Sequence, residues 1–226
     1  MPSCFRRAST IPGFLVLLAF CLIIGGLLLP VIQLTRISRH RLQCTENLRK
    51  IGVGATGYAD THGVLPRNEV RPPRHSWNTE ILPYIGEEKL ARLFSPDHEW
   101  WDNAASNNRN LASKQVATFL CPAAPHPKRL VLTKDPNSPE KSFPTAATDY
   151  VGSAGAYYEN NDPDSLHVGA MHHRKVNQRI RIADIPDGTT NTLFVVEMAD
   201  KPNRWQAGKL SDDRLTEVQM PALAGQ

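Results

Sequence analysis

The sequence predicts an α+β fold, with a long N-terminal helix packed on an antiparallel sheet with long loops. Three observations predict it. An uncharged apolar run opens the chain, a stripe of helical period follows, and short β-rich segments divided by Pro- and Gly-containing turns fill the rest.

The apolar run comes first. No charged residue lies between Ala8 and Thr35, and Gly13 to Leu34 (GFLVLLAFCLIIGGLLLPVIQL) is 22 residues long. About 20 apolar residues span a bilayer as a helix. A core helix of a soluble domain needs a polar face, and this stretch has none before Gln33. A cleaved secretory signal is the competing reading, but its apolar region is shorter and ends at a small-residue site. The expected organisation is a short basic segment over 1–12, a transmembrane helix over 13–34 and an amphipathic continuation over 35–62. An α+β domain over 63–208 and a flexible tail over 209–226 follow.

Charge sharpens this division. The net charge is +4, but residues 1–60 carry Arg6, Arg7, Arg36, Arg39, Arg41, Arg49 and Lys50 against only Glu46 and Asp60. That part is +5, so the remainder is −1. The basic excess flanks the apolar run, where anionic headgroups lie. The outer domain has no basic patch interleaved with aromatics, so no nucleic-acid partner is expected. Arg36, Arg39 and Arg41 follow the run, and charge alone would place the C-terminal domain in the cytoplasm.

After Pro30 the pattern becomes periodic. Leu34, Ile37, Arg41, Cys44, Leu48, Ile51, Ala55 and Tyr58 follow steps of three and four, one stripe of a helix. Gly63 supplies a stop after His62. Gly52, Gly54 and Gly57 either permit close packing or mark fraying. Beyond them, Trp77 to Leu93 reads as a short helix pair burying Leu82, Ile85, Leu90 and Leu93. The Asn-rich stretch before Leu111 reads as a turn or helix start. VATFLCP (116–122) reads as strand-like, 122–147 as a long Pro-rich loop, and TDYVGSAGAYY (148–158) as a strand with a bend. RIRIADI (179–185) reads as extended, Pro186-Asp187-Gly188 as a turn and LFVVE (193–197) as a strand.

Of the four cysteines, only Cys44 and Cys121 fall outside the anchor and the segment before it. No CxxC pair exists, which removes the zinc-ribbon and thioredoxin signatures. In an extracytoplasmic domain a Cys44–Cys121 disulfide and two small buried residues are both open readings.

The segments LLLPVIQLTRISRHRLQC, QCTENLRKIGVGATGYADTHGVLP, SWNTEILPYIGEEKL, VATFLCPAAP, TDYVGSAG and IADIPDGTTNTLFVVEMAD stand in the order seen in a bacterial pilin-like family, domain of unknown function 1559. The chain resembles that family from about Leu27 to Trp205. The resemblance implies a pilin-like fold, a prepilin-type N-terminus and an exported domain, held by one span in the bacterial inner membrane. It implies no established activity. Two departures stand out. Members usually carry a Gly-Phe processing site followed within a few residues by glutamate, whereas Gly13-Phe14 is followed by LVLLAF. The His-x9-Asp-Gly segment of many members is also missing.

Other chemistry is weakly signalled. His167, His172 and His173 are spaced unlike known helical metal motifs. Asp184, Asp187 and Asn191 could offer oxygen ligands, yet Asp-Gly-Thr is equally what a tight turn requires. Gly152-Ser153-Ala154-Gly155 lacks the G-x-S-x-G spacing of a nucleophile elbow. Trp77, Trp100, Trp101 and Trp205 are more often core and turn anchors than a carbohydrate surface. No catalytic residue, cofactor or metal site is expected. The expected role is a pseudopilin-like structural subunit of a secretion or surface-filament system, with the lipid bilayer and other pilin-like subunits as partners. The alternative is a stand-alone, membrane-tethered extracytoplasmic binding module.

Overall fold

A computed structural model describes residues 10–66, 73–124, 130–153, 155–157, 166–171, 180–199, 204–206 and 209–211. The chain divides into two compact units, Met1–Leu42 and Gln43–Gln226. Helix α1 (Thr10–His62) contributes to both. Among the described residues three short helices follow: α2 (Trp77–Ile81), α3 (Glu88–Leu93) and α4 (Asn108–Ala112). The strands are β1 (Leu130–Asp135), β2 (Ser138–Ala146), β3 (Tyr150–Gly152), β4 (Gly155–Tyr157), β5 (Leu166–Val168), β6 (Val195–Glu197), β7 (Arg204–Gln206) and β8 (Lys209–Ser211). The architecture is α+β. Its sheet structure, among the described residues, is four antiparallel two-stranded ladders: β1–β2, β3–β6, β4–β5 and β7–β8.

Helix α1 ends where the sequence expects. Gly63 has φ 74° and donates its N–H to the Ala59 carbonyl at 2.7 Å, closing the last turn with a conformation that glycine adopts without strain. Within the second unit the helix buries Cys44, Ile51, Ala55 and Tyr58 of the expected stripe, with Leu48 partly buried. In the first unit Leu34 and Ile37 are exposed instead. A stripe faces a core only where a core exists.

The glycines of α1 permit close packing rather than fraying. A Cβ on Gly54 would stand 2.6 Å from Ile85 Cγ2, and one on Gly57 would stand 3.0 Å from Tyr84 Cδ1. The helix surface is therefore cut back where α2 and the 3₁₀ turn Leu82–Ile85 lie against it. Ile51, Ile81 and Leu82 are almost wholly buried there. Each such side chain contributes about 1.5–3 kcal/mol by leaving water. Trp77, Phe119, Tyr150 and Met171 join the same core.

Several local expectations are corrected. Leu93 is 65% exposed, because α3 turns its partly buried side, Leu90 and Ala91, to the core. Residues 117–119 form a 3₁₀ turn rather than a strand. Residues 130–146 form the β1–β2 hairpin rather than a loop. Pro139 and Pro144 are exposed within β2, and a two-stranded ladder has open edges where proline costs no ladder bond. Thr145 donates to the Val131 carbonyl at 3.1 Å and bonds Thr133 across the pair at 2.8 Å. Ile182–Asp184 is a 3₁₀ turn, not extended, because the Asp184 carboxylate reaches back to the Arg181 N–H and guanidinium. The strand over 195–197 exists, but its partner is β3. In the expected tail, Lys209–Ser211 pairs with β7.

Candidate membrane anchor and disulfide-centred core

The anchor is built from composition alone. Leu, Ile, Phe and Ala propagate a helix, and Pro30 is carried inside α1. Gly13 to Leu34 would be about 33 Å long at helical rise, against a hydrocarbon core of about 30 Å. Phe14, Leu17, Phe20, Leu27 and Leu34 are all exposed. The helix is long and apolar enough to cross a membrane. Gly13 and Phe14 lie exposed near its N-terminal end, and its first turn carries no acidic residue. Cys21 is exposed and free.

The second site starts from Cys44, buried on α1, and Cys121, just beyond the 3₁₀ turn 117–119. The two are joined in a disulfide, with Cα atoms 5.5 Å apart and 77 residues of separation in sequence. Asn47, three residues on and on the same helix face, donates to the Leu120 carbonyl at 2.9 Å and accepts from Gln43 at 3.1 Å. Asp149 completes the clasp. Its carboxylate accepts the Cys121 N–H at 2.8 Å, its own N–H goes to the Phe119 carbonyl at 2.9 Å, and its carbonyl accepts the Met198 N–H at 2.6 Å. Helix α1, the 117–121 segment and the β3–β6 ladder are thus tied at one place.

The electrostatics match a buried polar knot. Burial pushes the Tyr150 phenol up to about 12, against a smaller opposite effect of the neighbouring Asn47 side chain. No hydrogen bond of good geometry forms to the Tyr150 hydroxyl among the described residues. Partial burial, then the Asp149 carboxylate, hold Glu197 above the usual carboxylate range. A Glu197 oxygen and both disulfide sulfurs lie within 4.8 Å of one another. The sulfurs are bonded to each other, so in this state the group is a cross-link and not a thiolate metal centre.

A smaller core cluster gathers Trp100, Trp101, Ala112 and Phe143. The Arg74 guanidinium lies 4.9 Å from the Trp101 ring centroid and the Arg109 guanidinium 4.5 Å from that of Phe143. Arg109 also donates to the Trp101 carbonyl at 2.8 Å and to the buried Asp135 carboxylate at 2.6 Å. Asn108, fully buried, donates to the carbonyls of Ser95, His98 and Glu99 and accepts the Ser95 N–H. The Asn137 N–H, then the Arg109 charge, hold Asp135 below the usual carboxylate range. A depressed carboxylate pKa contributes stability that is complete above the unfolded value, about pH 4, and is lost as pH falls through the folded value. Asp135→Asn should therefore cost about 1–3 kcal/mol at pH 7, and thermal melts of variant and parent should converge towards pH 2.

The remaining candidates separate. Asp184 is engaged by Arg181, while Asn191 donates to the Asp187 carbonyl at 3.1 Å and Gly188 has φ 71°. These are turn bonds. Ser153 uses its backbone, donating to the Phe194 carbonyl and accepting from the Met171 N–H. His172 and His173, and the side chains of His167 and Trp205, lie outside the described residues. Sequence reasoning missed Asn47, Asp149 and the Arg109–Asp135 pair. Only Asn47 carried a signal, its position one turn beyond Cys44.

A family model described as a protein of unknown function (DUF1559) matches residues 38–226. No curated protein and no solved structure matches the chain.

Proposed function

From the premise that this chain belongs to the family of proteins of unknown function DUF1559, we propose that it is a single-pass inner-membrane protein holding its folded unit outside the cytoplasm as a pilin-like structural subunit. One observation carries the reading. The helix that is apolar and exposed over Gly13–Leu34 continues as the core helix of the folded unit over Gln43–His62. An unrelated tether would have no reason to share a helix with the core. The buried Cys44–Cys121 disulfide supports placement in an oxidising compartment. The role is structural rather than enzymatic, and the partners are the bilayer and other pilin-like subunits of a secretion or filament system.

A second reading, a permanent tether for an extracytoplasmic binding module, draws on the lack of an acidic residue in the stretch LVLLAF that follows Gly13-Phe14. N-terminal sequencing of the mature protein separates the two. An N-methylated N-terminus at Phe14 supports assembly, and an uncleaved N-terminus sinks it in favour of the tether. Protease added to spheroplasts should digest the folded unit. Protection that ends only on membrane lysis would refute the orientation.

A further inference from the structure

Three side chains of metal-ligating type meet at the Cys44–Cys121 bridge. Both sulfurs and a Glu197 carboxylate oxygen lie within 4.8 Å of one another, and Cys44 and Cys121 are buried while Glu197 is exposed. The three come from α1, the 117–121 segment and β6, which only tertiary packing brings together. Cys121 and Glu197 are held in place by more than the S–S bond. The Asp149 carboxylate accepts the Cys121 N–H at 2.8 Å, and the Asp149 carbonyl accepts the N–H of Met198, the residue after Glu197, at 2.6 Å. On α1, Asn47 donates to the Leu120 carbonyl at 2.9 Å and keeps the helix against that segment one turn beyond Cys44. Tyr150 stands opposite Glu197 in the β3–β6 register, which puts both side chains on one face of the ladder. Its hydroxyl is buried and makes no hydrogen bond of good geometry among the described residues, an unspent donor beside Glu197.

We propose that, once the bridge is reduced, Cys44, Cys121 and Glu197 bind one zinc ion, so that the redox state of the pair selects between a cross-link and a metal centre. Two thiolates and a carboxylate form a zinc set. Sulfur ligands disfavour Ca²⁺ and Mg²⁺, and three protein ligands leave the fourth tetrahedral position to water. Zinc about 2.3 Å from each sulfur holds two thiolates about 3.8 Å apart, inside the 4.8 Å that already encloses the three ligand atoms. The exposed Glu197 marks the side from which an ion enters. A phosphine reductant cleaves the S–S bond and takes the oxygen of a water molecule, whose two hydrogens go to the two sulfurs. A cellular dithiol does the same by exchange, ending as its own disulfide with its two hydrogens on the cysteines. Zinc then displaces those two protons to the solvent. The site needs the folded unit and not the bilayer, so it stands apart from the orientation and subunit role proposed above. The compartment decides only which state is populated.

The test uses the full chain in detergent with Cys4 and Cys21 replaced by serine, so that only the bridge thiols remain. It is reduced with phosphine in the absence of oxygen and titrated with Co²⁺, then with Zn²⁺. Tetrahedral cobalt on thiolates shows visible bands and a near-ultraviolet sulfur-to-cobalt charge transfer. One equivalent of Co²⁺ should bind with both signatures, and Zn²⁺ should bleach them. The oxidised chain should show neither. Cys44→Ser together with Cys121→Ser should abolish the charge transfer. Glu197→Gln should keep it but weaken binding about tenfold or more. Circular dichroism follows folding throughout. If reduction unfolds the unit, Co²⁺ should restore the fold, since an ion that binds only the folded form stabilises it. Cobalt bound without charge transfer sits on histidines or surface carboxylates and overturns the proposal. Charge transfer in the oxidised chain overturns the switch, and equal affinity in the parent and Glu197→Gln overturns the three-ligand site. A reduced chain that neither binds Co²⁺ nor refolds in its presence overturns the metal centre altogether.

Discussion

Replacing Cys44 and Cys121 together by alanine should lower the unfolding free energy of the folded unit by about 4 kcal/mol. The two residues are 77 apart in sequence, so the cross-link removes the closure of a long loop from the unfolded ensemble. For a unit of this size that corresponds to a melting temperature lower by about 10 °C. The measurement is thermal unfolding of the full chain in detergent, with and without a phosphine reductant. Reductant should move the parent towards the double variant and leave the variant unchanged. Two melts that coincide without reductant would show that the cross-link contributes little beyond the hydrogen bonds around it. Those bonds, from Asn47 to the Leu120 carbonyl and from the Cys121 N–H to Asp149, set a floor that survives the loss of the sulfurs.

Gly152→Val should be the most damaging single substitution in the β3–β6 ladder, costing about 3 kcal/mol or more. A Cβ at this position would overlap the Met171 sulfur and would lie 3.3 Å from the Trp77 indole nitrogen. Met171 is 2% and Trp77 3% exposed, so neither can swing into solvent. Met171→Ala in the same chain should recover part of the loss, because it removes the atoms in collision. Urea denaturation of the two single variants and the double tests this. Additive losses would rule out the steric account, since colliding side chains must be coupled.

Elements whose causes are local are legible in the chain alone. An uncharged run of 22 residues is a helix long enough for a membrane, whatever surrounds it. The stop at Gly63 follows from one residue's access to positive φ. The stripe from Cys44 to Tyr58 follows from helical period, and the turn at Gly188 from its flanking Asp and Thr residues. Tertiary structure decided what depended on partners distant in the chain. The 117–119 segment has strand-forming side chains nearby, yet the Asp149 N–H takes the Phe119 carbonyl while the Asp149 carboxylate takes the Cys121 N–H just beyond, and the segment stays a 3₁₀ turn. The hairpin over 130–146 is hidden in the sequence because its prolines and most of its polar residues face solvent, while its buried apolar residues Val131, Phe143 and Ala146 are too few to set an apolar period. Whether Cys44 and Cys121 were bonded or merely buried stayed open for the same reason. Spacing along a chain does not set distance in space, and only the packing of α1 against the 117–121 segment brings the two Cα atoms to 5.5 Å.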